Sequence, residues 1–236
     1  MLFRSRVIAV LSCVAAAALV SSCSSGVSPS RGSKNFAKPK PEHWRGETER
    51  ACLVSGYVRP NRFIQARSAL GGPGGGIASC GAFKPFVVHA IDNGRVRLRP
   101  AATLRCPMVP AVDRWMQRAV APAAARYLGS PVVKMRVAAS YGCRPINHRR
   151  GGKLSEHGRA NALDISAFEL ADGRVVNLKR GWRGTRAERR FLRAVHRGAC
   201  REFTTVLGPN ADRFHHDHFH FDLARHGRTG TYRVCR

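Results

Sequence analysis

The sequence predicts an α+β fold. Helical and strand patterns are mixed along the chain without the regular strand–helix–strand repeat of a parallel sheet, and several strand pairs are joined by hairpin turns. Six cysteines lie beyond residue 23. An even number of cysteines in an exported chain indicates three disulfides, although the sequence does not choose among the pairings.

The first elements are a hairpin and a helix. Residues 87–100 are predicted to form the hairpin, since the Asn-Gly pair at 93–94 supplies the positive φ angles of a tight turn. Residues 111–128 carry an apolar side and are predicted to form a helix that Gly129 ends and Pro122 kinks.

Short strands and one further helix follow. Strands are predicted at residues 133–137, 162–168, 175–178, 203–207 and 217–223. A turn at Asp172-Gly173 separates the second of these strands from the third. Thr185 and Glu188 have the spacing of a capping box for a helix that runs to Gly198. The glycine-rich stretch at 71–76 lacks the Lys-Ser/Thr of a phosphate loop and is predicted to be a plain loop.

The N-terminus is typical of a secretory signal. Arg4 and Arg6 precede an apolar run at 7–20 that is too short to span a bilayer, and small residues follow it. The segment VSSC also resembles a bacterial lipobox, in which the cysteine, here Cys23, is lipidated and becomes the new N-terminus. Ordinary cleavage after a small residue is the alternative.

Three regions result. Residues 1–22 are predicted to be a signal peptide, and residues 23–48 a lipidated N-terminus with a flexible linker rich in Ser, Gly, Lys and Pro. Residues 49–236 are predicted to fold. We therefore expect an exported, periplasmic protein, anchored in the outer membrane through lipid on Cys23.

The chain is strongly basic, with 41 Lys+Arg against 14 Asp+Glu and a formal net charge of +27. Such a balance favours a polyanionic partner. Because export excludes nucleic acid, the expected partner is peptidoglycan or another anionic polymer of the cell envelope.

The run HHDHFHFD at 215–222 gathers four of the 10 histidines of the chain with two aspartates. As a strand it predicts one apolar face and one polar face, since successive side chains point to opposite sides. The polar face would carry His216, His218, His220 and Asp222. On a rigid strand, two histidines at positions i and i+2 can both reach one point above the sheet. One of them can then bind a metal while the other acts as a base beside it. A chance histidine cluster on an exposed strand is the alternative.

The segment SEHGRANALDISAF at 155–168 offers further partners for a metal. Asp164 stands between Leu163 and Ile165, so strand alternation buries those two and turns the carboxylate to the opposite face. A charge in such a place is paired or bound to a cation. His157 can fold back from the preceding loop, giving two nitrogens and one carboxylate oxygen with a position open for water, as in catalytic zinc sites. A buried ion pair between Asp164 and an arginine is the alternative.

The paired motifs SxHxxGxAxD and HxH resemble the zinc peptidase superfamily of D-alanyl-D-alanine peptidases, lysostaphin-type enzymes and the hedgehog signalling domain. The spacing HxxHxH is similar to that of penicillin-insensitive murein endopeptidases. More closely, YGCR, SEHGRANALDI, FLRAVHRGAC, TVLGP and HHDHFHFDLAR together resemble the bacterial extensin-like C-terminal domain family over residues 51–236. The resemblance implies a central, mainly antiparallel sheet flanked by helices.

The resemblance also implies roles for single residues. Zn²⁺ would be bound by His157, Asp164 and His220. His218 would be the catalytic base or transition-state stabiliser, with His215 supporting it. Arg144, in SYGCR, matches a place where related peptidases keep an arginine near the substrate, where it can hold a peptide carboxylate bidentately.

One departure from the family pattern concerns the base. The carboxypeptidase branch has a glutamate shortly before its last histidine, in an ExWH pattern, whereas this chain has Asp217-His218-Phe219-His220. The base role therefore falls to His218, with Glu156 as a weaker candidate. Asp217 or Asp222 is expected to orient a histidine by a hydrogen bond.

The implied function is that of an exported zinc metallopeptidase that cleaves peptide cross-links or stem peptides of peptidoglycan through a zinc-activated water. The alternative is a non-catalytic cell-wall-binding or structural lipoprotein. In that case the zinc would be structural or vestigial, and the hedgehog domain shows that such a site persists in a signalling protein.

Lipidation at Cys23 is open to a direct test. Cys23→Ser is expected to shift the protein from the membrane fraction to the soluble fraction, because the acyl chains could no longer be attached. Cell fractionation followed by immunoblotting measures this shift, with Cys13→Ser as the control that leaves partitioning unchanged. Unchanged partitioning of Cys23→Ser would contradict the lipobox interpretation.

Overall fold

The computed structural model describes residues 43–71 and 80–236. The predicted signal peptide, Cys23 and most of the predicted linker lie outside these residues, as does most of the glycine-rich stretch. Within the described ranges no helix is long and apolar enough to cross a bilayer.

The first described element is helix α1 (His43–Ser55), followed by the short strand β1 (Ile64–Ala66). The linker was predicted to extend to residue 48, so its last six residues are helical instead. Sequence patterns missed this helix because polar contacts and a disulfide hold it in place, and it lacks an apolar stripe. Glu49 is buried and accepts a hydrogen bond from Arg105 at 2.6 Å.

The predicted hairpin is confirmed as β2 (Phe86–Ile91) and β3 (Val96–Leu104). Its turn contains three successive residues with positive φ, namely Asp92, Asn93 and Gly94. Asn and Gly adopt this conformation more readily than other residues, which explains the Asn-Gly pair at 93–94.

The predicted helix at 111–128 begins earlier and is interrupted. It consists of α2 (Met108–Trp115), a π-helical turn (Met116–Val120) and α3 (Ala121–Leu128). Pro122 lies in the first turn of α3, directly after the π turn. Because proline has no N–H to donate, the regular helical hydrogen bonding is interrupted at this point. Gly129 ends α3 in the left-handed conformation, as predicted.

The next strand is β4 (Val132–Ala139). Met135 and Val137 are buried as predicted, but Val133 is exposed. The alternation predicted for Val133 is wrong because the pairing with the following strand is irregular between Val132 and Lys134, which turns the Val133 side chain outward.

The remaining elements are β5 (Ala162–Leu170), β6 (Val175–Asn177), α4 (Leu178–Gly181), α5 (Arg186–Glu202), β7 (Thr205–Leu207), β8 (Phe219–Asp222) and β9 (Val234–Cys235). Of these, β5 to β8 and α5 confirm predicted elements with shifted ends, whereas α4 and β9 were not predicted. Both hydrogen bonds of the Thr185–Glu188 capping box are present. The predicted strand at 217–223 is shorter than expected, and only His220 and Asp222 of its predicted polar face lie on β8.

The described strands form one mixed sheet in the order β1-β2-β3-β4-β5-β8-β7-β9, with β6 also paired to β5. The pairs β3–β4 and β7–β9 are parallel and the others are antiparallel. The α+β class and the mainly antiparallel sheet are therefore confirmed. Three disulfides form as predicted, joining Cys52 to Cys106, Cys80 to Cys143 and Cys200 to Cys235.

The core lies between one face of the sheet and the helices. Trp115 of α2 is fully buried against Phe168, Phe203 and Phe221, and its indole N–H donates to the Val195 carbonyl of α5. Phe221 stacks on Phe203 with ring centroids 4.9 Å apart. Because β8 sends Phe219 and Phe221 into this core, the intervening His220 points to the opposite face of the sheet.

Phe221→Ala is expected to lower the free energy of unfolding by about 3–5 kcal/mol, since it removes a fully buried ring and leaves a cavity. Phe83→Ala is the matched control, because Phe83 is 67% exposed. Its effect should stay within about 0.5 kcal/mol. Urea unfolding followed by circular dichroism measures both values, and equal losses in the two variants would contradict the assigned core.

Candidate metal centre

Asp164 and His220 are brought together by strand pairing. They are directly opposite each other in the antiparallel register of β5 and β8. Leu163 and Ile165 are fully buried in the core, so Asp164 points to the other face, where it is 4% exposed. Its Oδ1 lies 2.8 Å from Nδ1 of His220. The buried carboxylate is therefore paired with a histidine on the neighbouring strand.

His157 comes from the loop that precedes β5. It lies in a short 3₁₀ turn (Glu156–Arg159), and its backbone N–H donates a hydrogen bond to the hydroxyl of Ser155, the N-cap of that turn. A Cβ atom at Gly158 would stand 2.7 Å from Cδ1 of Leu154 and 3.1 Å from Sγ of Cys80, so a larger residue there would have to displace the Leu154 side chain. His157 is 2% exposed, and its Nε2 lies 3.1 Å from Asp164 Oδ2.

These three residues form a compact group with no arginine in it. Among the described residues, the ion-pair partners of Asp164 are His157, His218 and His220, so the alternative of a pair with an arginine is not what the structure contains. Nε2 of His157 lies 3.2 Å from Nδ1 of His220. One donor atom from each of His157, Asp164 and His220 lies within 4.8 Å of the other two, as in a metal-binding group.

The outer hydrogen bonds determine which nitrogen faces the centre. Nδ1 of His157 donates to the Ser140 carbonyl, and Nε2 of His220 donates to Asp222 Oδ2 at 3.0 Å. In the neutral rings the proton is then on the outer nitrogen, and both inner nitrogens present lone pairs. Two lone pairs and the Asp164 carboxylate converge on one point, and such an arrangement is stable only around a positive charge.

Without a metal, a proton supplies that charge. Burial alone would lower the pKa of His220, but its hydrogen bonds to Asp164 and Asp222 prevail and raise the pKa to about 10. Burial alone would raise the pKa of Asp164, but hydrogen bonds from His157 and His220 hold it well below its usual range. Both shifts favour positive charge at this point, so the three residues fit a metal ion as well as a proton.

His218 and His215 lie beside the group without joining it. Both come from the turn before β8, so His218 does not lie on the strand as predicted. Nε2 of His218 is 3.7 Å from Asp164 Oδ2, and Nδ1 is 2.9 Å from Asp217 Oδ1. The His215 ring centroid lies 5.3 Å from that of His218 and 5.7 Å from that of His220. Burial lowers the pKa of His215 despite its hydrogen bond with Asp212.

His216 does not share the polar face that was predicted for it. Its side chain is 55% exposed, and its Nδ1 lies 2.9 Å from the Arg213 carbonyl oxygen. The prediction is wrong because the chain enters β8 only at Phe219, so strand alternation does not apply to the preceding residues. Both aspartates that were expected to orient a histidine do so, Asp222 toward His220 and Asp217 toward His218.

Two contacts were missed by sequence reasoning. The Ser140 carbonyl holds His157, and Asp212 holds His215 through Oδ1 at 2.8 Å. A backbone carbonyl leaves no trace in the sequence. The sequence does show that Asp212 and His215 are three residues apart. Their hydrogen bond could not be predicted from that spacing, because it depends on the turn in which both residues lie.

Arg144 lies next to the loop that carries His157. Its carbonyl accepts a hydrogen bond from the Ser155 N–H at 3.0 Å, and the preceding Cys143 is bonded to Cys80. Arg144 is half-buried, and its guanidinium makes no hydrogen bond or ion pair with a side chain or carbonyl of residues 43–71 or 80–236. Its predicted contact with a substrate carboxylate stays a prediction.

Glu156 is not available as a base. It accepts two hydrogen bonds from Arg45 of α1, both at 2.7 Å, and a third from Asn161. Its role is structural, since it ties α1 to the turn that carries His157.

The site lies within a recognised family region. The family model described as extensin-like protein C-terminus matches residues 51–236. The chain belongs to this family. All six residues assigned to the site by sequence, His157, Asp164, His220, His218, His215 and Arg144, fall inside the extensin-like region, whereas Arg45 precedes it. No curated protein and no solved structure matches the chain.

Metal binding provides a test of the extensin-like site. His220→Ala is expected to weaken zinc binding by more than about 100-fold, because it removes a ligand and leaves Asp164 without its partner. His216→Ala is the matched control from the same run and should leave affinity unchanged, since His216 points into solvent. Competition with a chromophoric chelator measures both affinities, and equal losses would contradict the assigned ligands.

Proposed function

We propose that this protein is a zinc-dependent peptidase that cleaves peptide cross-links or stem peptides of peptidoglycan. The observation that carries the proposal is the convergence of two histidine lone pairs and one carboxylate on a single buried point. A periplasmic location with a lipid anchor at Cys23, and peptidoglycan as the partner, complete the proposal on the basis of the sequence.

Zinc suits this group of donors. Two imidazole nitrogens and one carboxylate oxygen are borderline ligands of the kind that catalytic zinc prefers. Tetrahedral zinc with bonds of 2.0–2.1 Å places its donor atoms about 3.3–3.4 Å apart. The two inner histidine nitrogens lie 3.2 Å apart, close to this value. Nδ1 of His220 is 2.8 Å from Oδ1 of Asp164, and Nε2 of His157 is 3.1 Å from Oδ2 of the same carboxylate. Small outward movements would admit the ion.

Residues around the bound ion would then have different roles in the reaction. Bound zinc would lower the pKa of a coordinated water and polarise the scissile carbonyl. Asp217 holds Nδ1 of His218, which leaves Nε2 of that ring free to take or give a proton on the side of Asp164. Arg144 would hold a carboxylate of the peptide through its unengaged guanidinium.

An open coordination position favours an enzyme over the alternative of a structural zinc site. Structural zinc is closed by four protein ligands, whereas catalytic zinc has three and a position for water. In the described part of the chain, the buried group has three members, and neither His218 nor His215 belongs to it. A structural or vestigial site in a wall-binding lipoprotein would be supported if His218 were found to be a fourth ligand.

The activity is tested with isolated peptidoglycan sacculi and zinc-loaded protein. The native chain is expected to release new muropeptides, and His218→Gln is expected to retain zinc while its turnover falls about 10²–10⁴-fold through loss of the proton-transfer group. Liquid chromatography with mass spectrometry identifies the products and hence the bond cleaved.

His220→Ala serves as the inactive reference and His216→Ala as the active one. No product from zinc-loaded native protein would contradict the proposed activity. Full activity of His218→Gln with zinc retained would contradict the role given to His218.

A further inference from the structure

The outer face of α5 carries a line of arginines. Five of them, together with Tyr127 of α3, line a groove of about 430 Å³: Arg186, Arg189, Arg190, Arg193 and Arg197. All five are exposed. Their spacing places them on the side of α5 opposite the buried residues Phe191, Leu192, Val195 and Ala199. We call this surface the arginine groove.

The positive charge in the arginine groove is not neutralised within the described residues. α5 contains two acidic residues, and both are engaged elsewhere. Glu188 accepts hydrogen bonds from Thr185 in the capping box, and Glu202 pairs with Arg114 and Arg118. No ion pair with a described acidic residue involves a member of the groove. Five guanidinium groups that repel one another along one surface indicate an external anionic partner.

The groove and the metal centre lie on opposite sides of the domain. The core side of β8 packs Phe221 against Trp115, which is bonded to α5, while His220 points to the other face of the sheet. The arginines are on the outer surface of α5, so the sheet and the helix layer both separate them from His220. A partner in the groove therefore does not reach the metal centre.

We propose that the arginine groove docks on the phosphate headgroups of an anionic lipid bilayer and turns the metal centre away from the membrane. The arginines extend over the 12 residues from Arg186 to Arg197, a rise of about 16 Å, so several headgroups would be contacted at once. Arg126, which precedes Tyr127, and Arg180 and Arg183, which precede α5, are also exposed and add to the positive field. A planar surface of phosphates fits a line of forked guanidinium groups, and docking there leaves the opposite face free.

The proposal is independent of peptidase activity and is tested with lipid vesicles. The protein is prepared as residues 24–236, which retains every described residue and removes the apolar run that would itself insert into lipid. Binding to vesicles of phosphatidylcholine with phosphatidylglycerol is measured by cosedimentation, beside vesicles of phosphatidylcholine alone. We expect binding to the anionic vesicles only, weakening as salt screens the charges.

Two triple variants distinguish vesicle binding by the arginine groove from binding that depends only on net charge. Arg186→Gln, Arg190→Gln and Arg197→Gln together should weaken vesicle binding about a hundredfold, since each basic side chain at an anionic surface contributes about fivefold. The control removes the same charge around β1, through Arg59→Gln, Arg62→Gln and Arg67→Gln, all of which are exposed. It should weaken binding several-fold at most. Thermal unfolding verifies that both triple variants remain folded.

Equal losses in the two triple variants would overturn the proposal, because binding would then reflect net charge alone.

A second arm uses peptidoglycan sacculi in place of vesicles. Groove-dependent binding to sacculi without groove-dependent binding to vesicles would also overturn it and would assign the groove to the wall polymer. Millimolar inorganic phosphate is also added to the vesicle-bound protein. If phosphate released the protein while the triple variant of the groove bound vesicles as tightly as the native chain, the contact would be nonspecific and ionic. That result would likewise contradict the proposal.

Discussion

Asp164 and His220 stand opposite each other in β5 and β8, and the candidate site depends on this one register. A slip of one residue would place a phenylalanine beside Asp164 and turn His220 into the core. Phe219 and Phe221 prevent the slip, since both are fully buried among the aromatic rings of the core. The hydrophobic packing on one face therefore fixes the position of the metal-binding donors on the other.

The third donor, His157, depends on a different set of contacts. Its turn is held by the hydrogen bond to the Ser140 carbonyl, by the nearby Cys80–Cys143 disulfide and by the paired hydrogen bonds between Arg45 and Glu156. These contacts are polar or covalent and lie outside the core. Helix α1 is thus part of the support of the site, although its first residues precede the extensin-like region.

The sequence predicted the parts of the fold that follow from periodicity. The α+β class, the 93–94 turn, the Thr185 capping box and the placement of Asp164 on the face opposite Leu163 and Ile165 were all visible, because each depends on neighbours along the chain. α1 was missed because its contacts are distant charges, and His216 and His218 were misplaced because the start of β8 depends on pairing with β5. The set His157, Asp164 and His220 was implied by resemblance, and the structure brings these three together.

We propose that these three residues hold one zinc ion through their inner donor atoms. Diffraction from crystals of the zinc-loaded protein, recorded on both sides of the zinc absorption edge, tests this proposal most directly. One strong anomalous peak is expected about 2.0–2.2 Å from Nε2 of His157, a carboxylate oxygen of Asp164 and Nδ1 of His220. No peak at this point, or a peak held by His215 or His216 instead, would contradict it.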